Sequence, residues 1–321
     1  MAAESPTGNA EPGGVTDAEA LLKRLEWQVI RRLDGLLQGD YRSLFTGQGF
    51  DLAEVREYQP EDDVRYMDWN VTARMDRPYV RQYIEDREIN AWLLLDLSGS
   101  VDFGTAQALK RDLLRDFAAV ISRLLSRRGN RVGALLFSAG VDAVMPPRTG
   151  LNQSLRLIHE LGRRHQTTRG ATDLGGVLDR TAATLRRRSL VFVVSDFISA
   201  SAWEAPLARL ARRHELVAVW LRDPREETLP AVGPLVLEDA ETGEQVSVDT
   251  SDTGFQSRFR SLVEERRKRL EATFARHGID VLGLSTDGDL VRDVARFVLL
   301  RREARRRRVS AFAFGTAGAR T

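Results

Sequence analysis

The sequence predicts an α/β protein: a doubly wound, mostly parallel sheet with one antiparallel edge strand, preceded by a helical and charged N-terminal segment. Three observations lead to it. From Ile89 onward, short apolar runs alternate with longer stretches of helical period, the pattern of strands joined by crossover helices. The first run contains Trp92, Leu93, Leu94 and Leu95 in succession and leaves no polar face, as a strand covered on both sides requires. The alternation fails once, between Arg131 and Val144, where only Ser138, Ala139 and Gly140 separate two apolar runs. So short a link makes a hairpin, and therefore an antiparallel strand.

Taken in order, residues 1–16 are rich in Ala, Gly, Pro and Glu and are expected to be a disordered tail. Asp17 can cap a helix to about Gln38, with Leu21, Leu22, Leu25, Val29, Leu33 and Leu36 on one apolar stripe. Gly47 to Asp86 mixes charge and aromatics without a clean period, and with the helix it forms an N-terminal region over 17–87. The sheet domain then spans 88–304, with strands expected at 89–95, 131–137, 141–145, 190–195, 215–221 and 279–284. Helices are expected near 105–128, 151–163, 173–187, 202–213, 252–277 and 287–304. An inserted hairpin near 235–248 turns at Asp239 to Glu244. Residues 305–321 are expected to be a basic tail beginning with Arg305 to Arg308.

Composition narrows the function classes. Basic and acidic residues nearly balance, 48 against 46, so a sequence pI of 9.1 reflects no global field that would draw in nucleic acid. Nucleic acid is not an expected partner. Only Lys23, Lys110 and Lys268 are lysines and the other basic residues are Arg, a bias that a GC-rich genome produces without functional demand. Absence of cysteine excludes disulfides and thiolate metal sites. The first residues lack the basic and apolar regions of a signal peptide, and no apolar run approaches the ~20 residues of a membrane span. A soluble, cytoplasmic protein is the expectation.

The candidate chemistry lies at strand ends. Asp96-Leu97-Ser98-Gly99-Ser100 follows the first buried run and sets one carboxylate and two hydroxyls where open parallel sheets collect ligands. The run from Ser189 to Ser195 is a second buried strand, ending in Asp196, and between the two lies a loop carrying Thr172. Neighbouring strands lie about 4.8 Å apart, so carboxylates ending adjacent parallel strands can share one ion. Hard oxygen donors of this kind suit Mg²⁺, with Mn²⁺ or Ca²⁺ as alternatives. Asp96, Ser98, Ser100, Thr172 and Asp196 stand in the chain order of a metal-ion-dependent adhesion site and resemble that of the von Willebrand factor A fold. The resemblance implies that the two Ser bind the metal directly and that Thr and the Asp residues bind it directly or through water. It also implies an incomplete coordination shell, which an acidic residue of a partner fills.

A second constellation precedes the sheet. From Arg56 to Arg74 opposite charges alternate, including Asp62, Asp63, Arg65 and Asp68, over an apolar base of Tyr58, Tyr66 and Trp69. Arg forks can hold carboxylates bidentately, so the cluster reads as an ordering network or a docking face formed by Arg56, Asp62, Asp63, Arg65, Asp68, Trp69 and Arg74. This stretch, Arg56-Glu57-Tyr58-Gln59-Pro60-Glu61-Asp62-Asp63-Val64-Arg65-Tyr66-Met67-Asp68-Trp69 followed by Thr72-Ala73-Arg74, resembles the signature of the bacterial domain-of-unknown-function-58 family. Glu61 stands where that family has Gly, and Met67 where it has Ile. Asp96 to Ser100 and the hairpin from Leu237 to Glu244 agree with the same family, and the likeness spans Gly47 to Leu284. It implies an adaptor or co-chaperone that works with a MoxR-type AAA+ ATPase on a client protein complex.

Other chemistries lack their residues. There is no phosphate-binding loop, no dinucleotide fingerprint and no nucleophile elbow. His159, His165, His214 and His277 form no paired metal motif and read as structural, the last two near helix C-termini where a cation complements the dipole. No His is placed to activate Ser98 or Ser100, so the chain is not expected to be an enzyme. The alternative is a Mg²⁺-dependent phosphoryl-transfer or hydrolytic site using Asp96 or Asp196.

Overall fold

The computed structural model describes residues 13–37, 54–59, 62–64, 67–75, 77–82, 89–105, 108–163, 171–240 and 242–315. Strands β1 (Glu54–Glu57) and β2 (Tyr79–Gln82) form a small antiparallel ribbon with a short helix, Trp69–Met75, between them. The main sheet contains β3 (Asn90–Asp96), β4 (Arg131–Phe137), β5 (Val141–Arg148), β6 (Leu190–Ser195), β7 (Glu215–Arg222) and β10 (Asp280–Ser285). Its order is β10-β7-β6-β3-β4-β5, parallel throughout except for β5. Strands β8 (Pro234–Glu238) and β9 (Gln245–Asp249) form the separate hairpin expected near 235–248. The predicted class is therefore the observed one, and all six predicted strands of the sheet are present.

The pleat of β3 sorts its side chains. Ala91, Leu93 and Leu95 enter one core with Leu114, Phe117 and Ile121 of the Lys110–Ser126 helix. Trp92 and Leu94 enter the other, with Leu178, Leu207 and Phe274 from helices on the opposite face. In that second core Phe197 lies 5.4 Å from Trp203 and 5.0 Å from Phe274, ring centre to ring centre. Both faces are covered, which is why the strands carry no polar side.

Several boundaries differ from expectation for physical reasons. Strand β5 continues through Pro146 and Pro147 to Arg148, as an edge strand can, because its outer face needs no ladder donors. The N-terminal helix begins at Gly13, so Asp17 lies inside it rather than capping it. It also contains a π-helical turn at Glu26–Ile30 before resuming over Arg31–Leu37. That extra residue per turn rotates the apolar stripe: Ile30 becomes fully buried, while Leu36, expected on the stripe, is 59% exposed. The last helix runs Leu290–Gly315, so the backbone of the expected basic tail is helical as far as Gly315. Residues 1–12 of the expected N-terminal tail and 316–321 of the basic one lie outside the described residues. No helix among those described is long and apolar enough to cross a membrane.

Candidate functional site

Strands β3, β6 and β7 are parallel neighbours, so their carboxyl ends meet on one edge of the sheet. Asp96 ends β3 and Asp196 follows β6, in strands paired with Leu95 opposite Val194. Asp96 is fully buried. Its Oδ1 accepts the Ser98 backbone N–H at 2.9 Å, and its Oδ2 accepts the Ser195 hydroxyl at 2.6 Å. Ser98 and Ser100 are buried as well, with their hydroxyl oxygens 3.1 Å apart. Burial and then the nearby charge of Asp196 raise the Asp96 pKa from 3.8 to about 7, against the opposing hydrogen bonds from Ser195 and Ser98.

Asp196 is held from three directions. Its Oδ1 accepts Ile198 N–H at 3.0 Å, its Oδ2 accepts the Lys110 ammonium at 2.8 Å, and its carbonyl accepts Arg266 Nη2 at 2.8 Å. The same ammonium donates to Glu226 Oε1 at 2.6 Å and lies 5.9 Å from the Phe103 ring centre. The turn after Asp196 places Phe197 at a φ of 58°, and the Ser195 hydroxyl accepts its N–H at 2.9 Å. Thr172 is buried, and its carbonyl accepts the Ser199 hydroxyl at 2.7 Å and Ala200 N–H at 3.2 Å. These bonds tie the Thr172 loop to the loop that follows Asp196.

Two features frame this cluster. The hairpin tip covers the serine loop so closely that a Cβ on Gly99 would stand 2.3 Å from the Ala240 carbonyl oxygen. Beside Asp196, a cavity of about 330 Å³ opens between Trp220, Arg222 and Glu226 and the Thr253–Arg276 helix, which contributes Arg260, Glu264 and Arg267.

The structure thus brings Asp96, Ser98 and Ser100 into one network, sets Asp196 near enough to act on Asp96, and ties Thr172 to the same edge. Among the described residues no group of three or more His, Cys, Asp or Glu is placed to hold a metal. A cation at this edge would therefore be bound by two carboxylates completed by hydroxyls and water. Sequence reasoning missed Lys110, Ser195 and Glu226. One signal was available for Lys110: it is a lysine in a chain that otherwise uses Arg almost exclusively.

The signature segment is a different kind of surface. Asp68 is buried and its carboxylate accepts Val71 N–H at 3.2 Å, capping the Trp69–Met75 helix. Asp62 Oδ2 accepts Gln59 N–H at 2.9 Å, and Thr72 Oγ1 accepts Tyr79 N–H at 2.9 Å, so part of the pattern builds the ribbon itself. Trp69 is 67% exposed, and Asp63 and Arg74 also face solvent. Arg56 contributes its backbone to β1 opposite Val80, while Arg65 lies outside the described residues. His214, read as structural near a helix C-terminus, is buried there. Burial, then Arg213 and Arg188, lower its pKa, which works against the cation that would complement the dipole.

A family model described as a protein of unknown function, DUF58, matches residues 54–269. An uncharacterized protein of Mycobacterium tuberculosis strain H37Rv is 41% identical over 284 residues, 88% of this chain and 89% of that one. Among solved structures, the conserved hypothetical protein BatB from Bacteroides thetaiotaomicron aligns with 67% of this chain and 99% of its own, at 10% identity and a TM-score of 0.44. The SpRpn10 VWA domain aligns with 66% of this chain and 94% of its own, at 11% identity and a TM-score of 0.36.

Proposed function

We propose, for a chain that belongs to the DUF58 family of proteins of unknown function, that the carboxyl end of its sheet is a cation-assisted docking site for a partner protein. The observation behind this reading is the convergence of Asp96, Ser98 and Ser100 with Asp196 at the ends of adjacent parallel strands. The donor set is hard oxygen, which fits Mg²⁺ and less selectively Mn²⁺ or Ca²⁺. Asp96, Ser98, Ser100, Thr172 and Asp196 would hold the ion. A bound ion would neutralise the two carboxylates and offer an open position to an acidic side chain of the partner.

The chain's own residues prepare that edge. Ser195 and the Ser98 N–H orient the Asp96 carboxylate, and each of its oxygens keeps a second lone pair for a ligand. One metal–carboxylate contact does not hold a complex, since a stable interface buries ~1,200–2,000 Å². The exposed Trp69 and Arg74, with Arg56, Asp62, Asp63 and Arg65 of the same segment, are the proposed second contact, and the buried Asp68 holds the helix that presents Trp69. The partner class is a MoxR-type AAA+ ATPase acting on a client complex, with this chain as adaptor or co-chaperone.

A second reading has one observation in its favour: an Asp96 pKa near 7 is that of a general acid or base. Turnover of a phosphate-ester panel that is lost in Asp96→Asn would establish it. The docking reading is tested by pull-down of a purified MoxR-type ATPase, in Mg²⁺ and in EDTA, by the wild type and by Asp96→Ala. Retention that needs both the metal and Asp96 is expected; retention indifferent to both would sink it.

A further inference from the structure

Lys110 sits where local forces oppose a cation. It is the first residue of the Lys110–Ser126 helix, and the positive end of the helix dipole disfavours an ammonium there. It is also fully buried, which strips the charge of water. What offsets these penalties is Asp196 Oδ2 at 2.8 Å and Glu226 Oε1 at 2.6 Å. Nothing in the secondary structure asks for a lysine; what asks for it is the pair of carboxylates it joins. The choice of residue type is also specific. Among 48 basic residues only three are Lys, and one of them is this compact point charge rather than a planar guanidinium.

The atom it engages is the informative one. Asp196 Oδ1 accepts Ile198 N–H, and the ammonium lies on Oδ2, so an ion that binds at that oxygen meets a cation already in place. Asp96 instead accepts the Ser98 N–H and the Ser195 hydroxyl, and among the described residues no ammonium or guanidinium is paired with it. The two carboxylates of the edge are therefore unequal: one is neutralised from within the protein, the other waits for charge from outside.

We propose that Lys110 is a resident cation of this site, which a divalent ion must displace from Asp196 onto Glu226 in order to bind. This rests on the docking-site reading above and deepens it. Lys110 becomes the residue that sets metal affinity, holding the site closed to traces of metal, with Glu226 already placed to keep the ammonium it gives up.

Isothermal titration with Mg²⁺ alone tests this on the full chain, comparing wild type, Lys110→Met, the double variant Lys110→Met/Glu226→Gln, and Asp96→Asn as a metal-blind control. The double variant is decisive. It removes one positive and one negative charge together, so the net charge of the site matches wild type, while the buried Asp196 loses its ammonium and Glu226 no longer needs one. If Lys110 competes at Asp196, the double variant binds Mg²⁺ at least tenfold more tightly than wild type, and Lys110→Met more tightly still. A double variant that binds no more tightly than a metal-binding wild type overturns the proposal while leaving the docking site intact. Absence of Mg²⁺ binding in every folded variant, checked by circular dichroism, overturns the metal reading and this proposal with it. If Lys110→Met alone fails to fold, the double variant still gives the answer.

Discussion

Asp96 and Asp223 are both withdrawn completely from water at the carboxyl ends of strands separated by a single neighbour, yet their carboxyls are driven in opposite directions. Burial raises both. Asp223 then receives four donors: Thr105 N–H at 2.8 Å, Thr105 Oγ1 at 2.6 Å, Thr286 Oγ1 at 2.6 Å and Arg225 N–H at 2.8 Å. Together they outweigh burial and hold its pKa below the ordinary range. Asp96 receives two donors and faces a like charge, and its pKa rises to about 7. Burial alone therefore does not mark a functional carboxylate. One is satisfied by the protein and acts as a joint between the Thr105 loop, β7 and the Glu226 helix; the other is left short of positive charge.

The contrast can be broken at either end. Asp223→Ala should have the largest effect, taking the acceptor from four donors at once and stranding the buried Thr286 hydroxyl, which alone costs about 1–3 kcal/mol. Denaturant unfolding should show this loss with and without Mg²⁺, and a mild or metal-rescued variant would mean that Asp223 is not the joint described. Asp96→Asn should lower the unfolding midpoint modestly, a cost of about 1–2 kcal/mol, because it removes a buried charge but sets an NH2 where both carboxylate oxygens accept. The added stability of roughly 2.7 kcal/mol expected at a hundred times the Mg²⁺ Kd should appear in wild type and be absent from the variant.

The pH dependence sharpens the comparison. The Asp96 pKa is higher in the folded protein than the ordinary 3.8, so between about pH 4 and about pH 7 the folded state holds a proton that the unfolded state has lost. Its contribution is fully favourable below that window and is lost as pH rises through it. Without metal, wild type should therefore lose stability relative to Asp96→Asn from pH 4 to pH 7.5. Parallel curves for the two proteins would show that Asp96 is not raised. Ser195→Ala should act more modestly, costing about 1 kcal/mol. It should push the Asp96 pKa higher still, as read by carboxyl NMR titration. The smallest effect is expected for Arg209→Ala at the exposed pair with Asp179, ~0.5 kcal/mol or less, which sets the scale for charges that do not matter.

How far the sequence revealed this site follows from distance along the chain. Asp96, Ser98 and Ser100 fall within five residues of one another after an unmistakable strand, and Asp196 ends another, so both were legible from periodicity and placement. Lys110 meets Asp196 across 86 residues and Glu226 across 116, and no local pattern encodes such pairings. Only the sheet order brings them together. The π turn at Glu26–Ile30 was illegible for a different reason: inserting one residue into a helical turn leaves the apolar spacing almost unchanged while shifting the stripe, so that Ile30 joins Leu33 in the core and Leu36 ends outside. The signature segment was read as charge on aromatics, whereas Asp68 is spent on a helix cap, a role any Asp before a short helix can take.

The scarcity of lysine has a practical consequence. A chain of 321 residues offers amine-selective reagents three side chains, of which Lys23 and Lys268 are exposed and Lys110 is not. Acylation read by mass spectrometry would mark the two outer positions at once and stay silent at the third. Any event that lifts the Lys110 ammonium away from Asp196 and Glu226 into solvent would add one further mark, so the protein carries its own reporter of whether this edge of the sheet is shut or open.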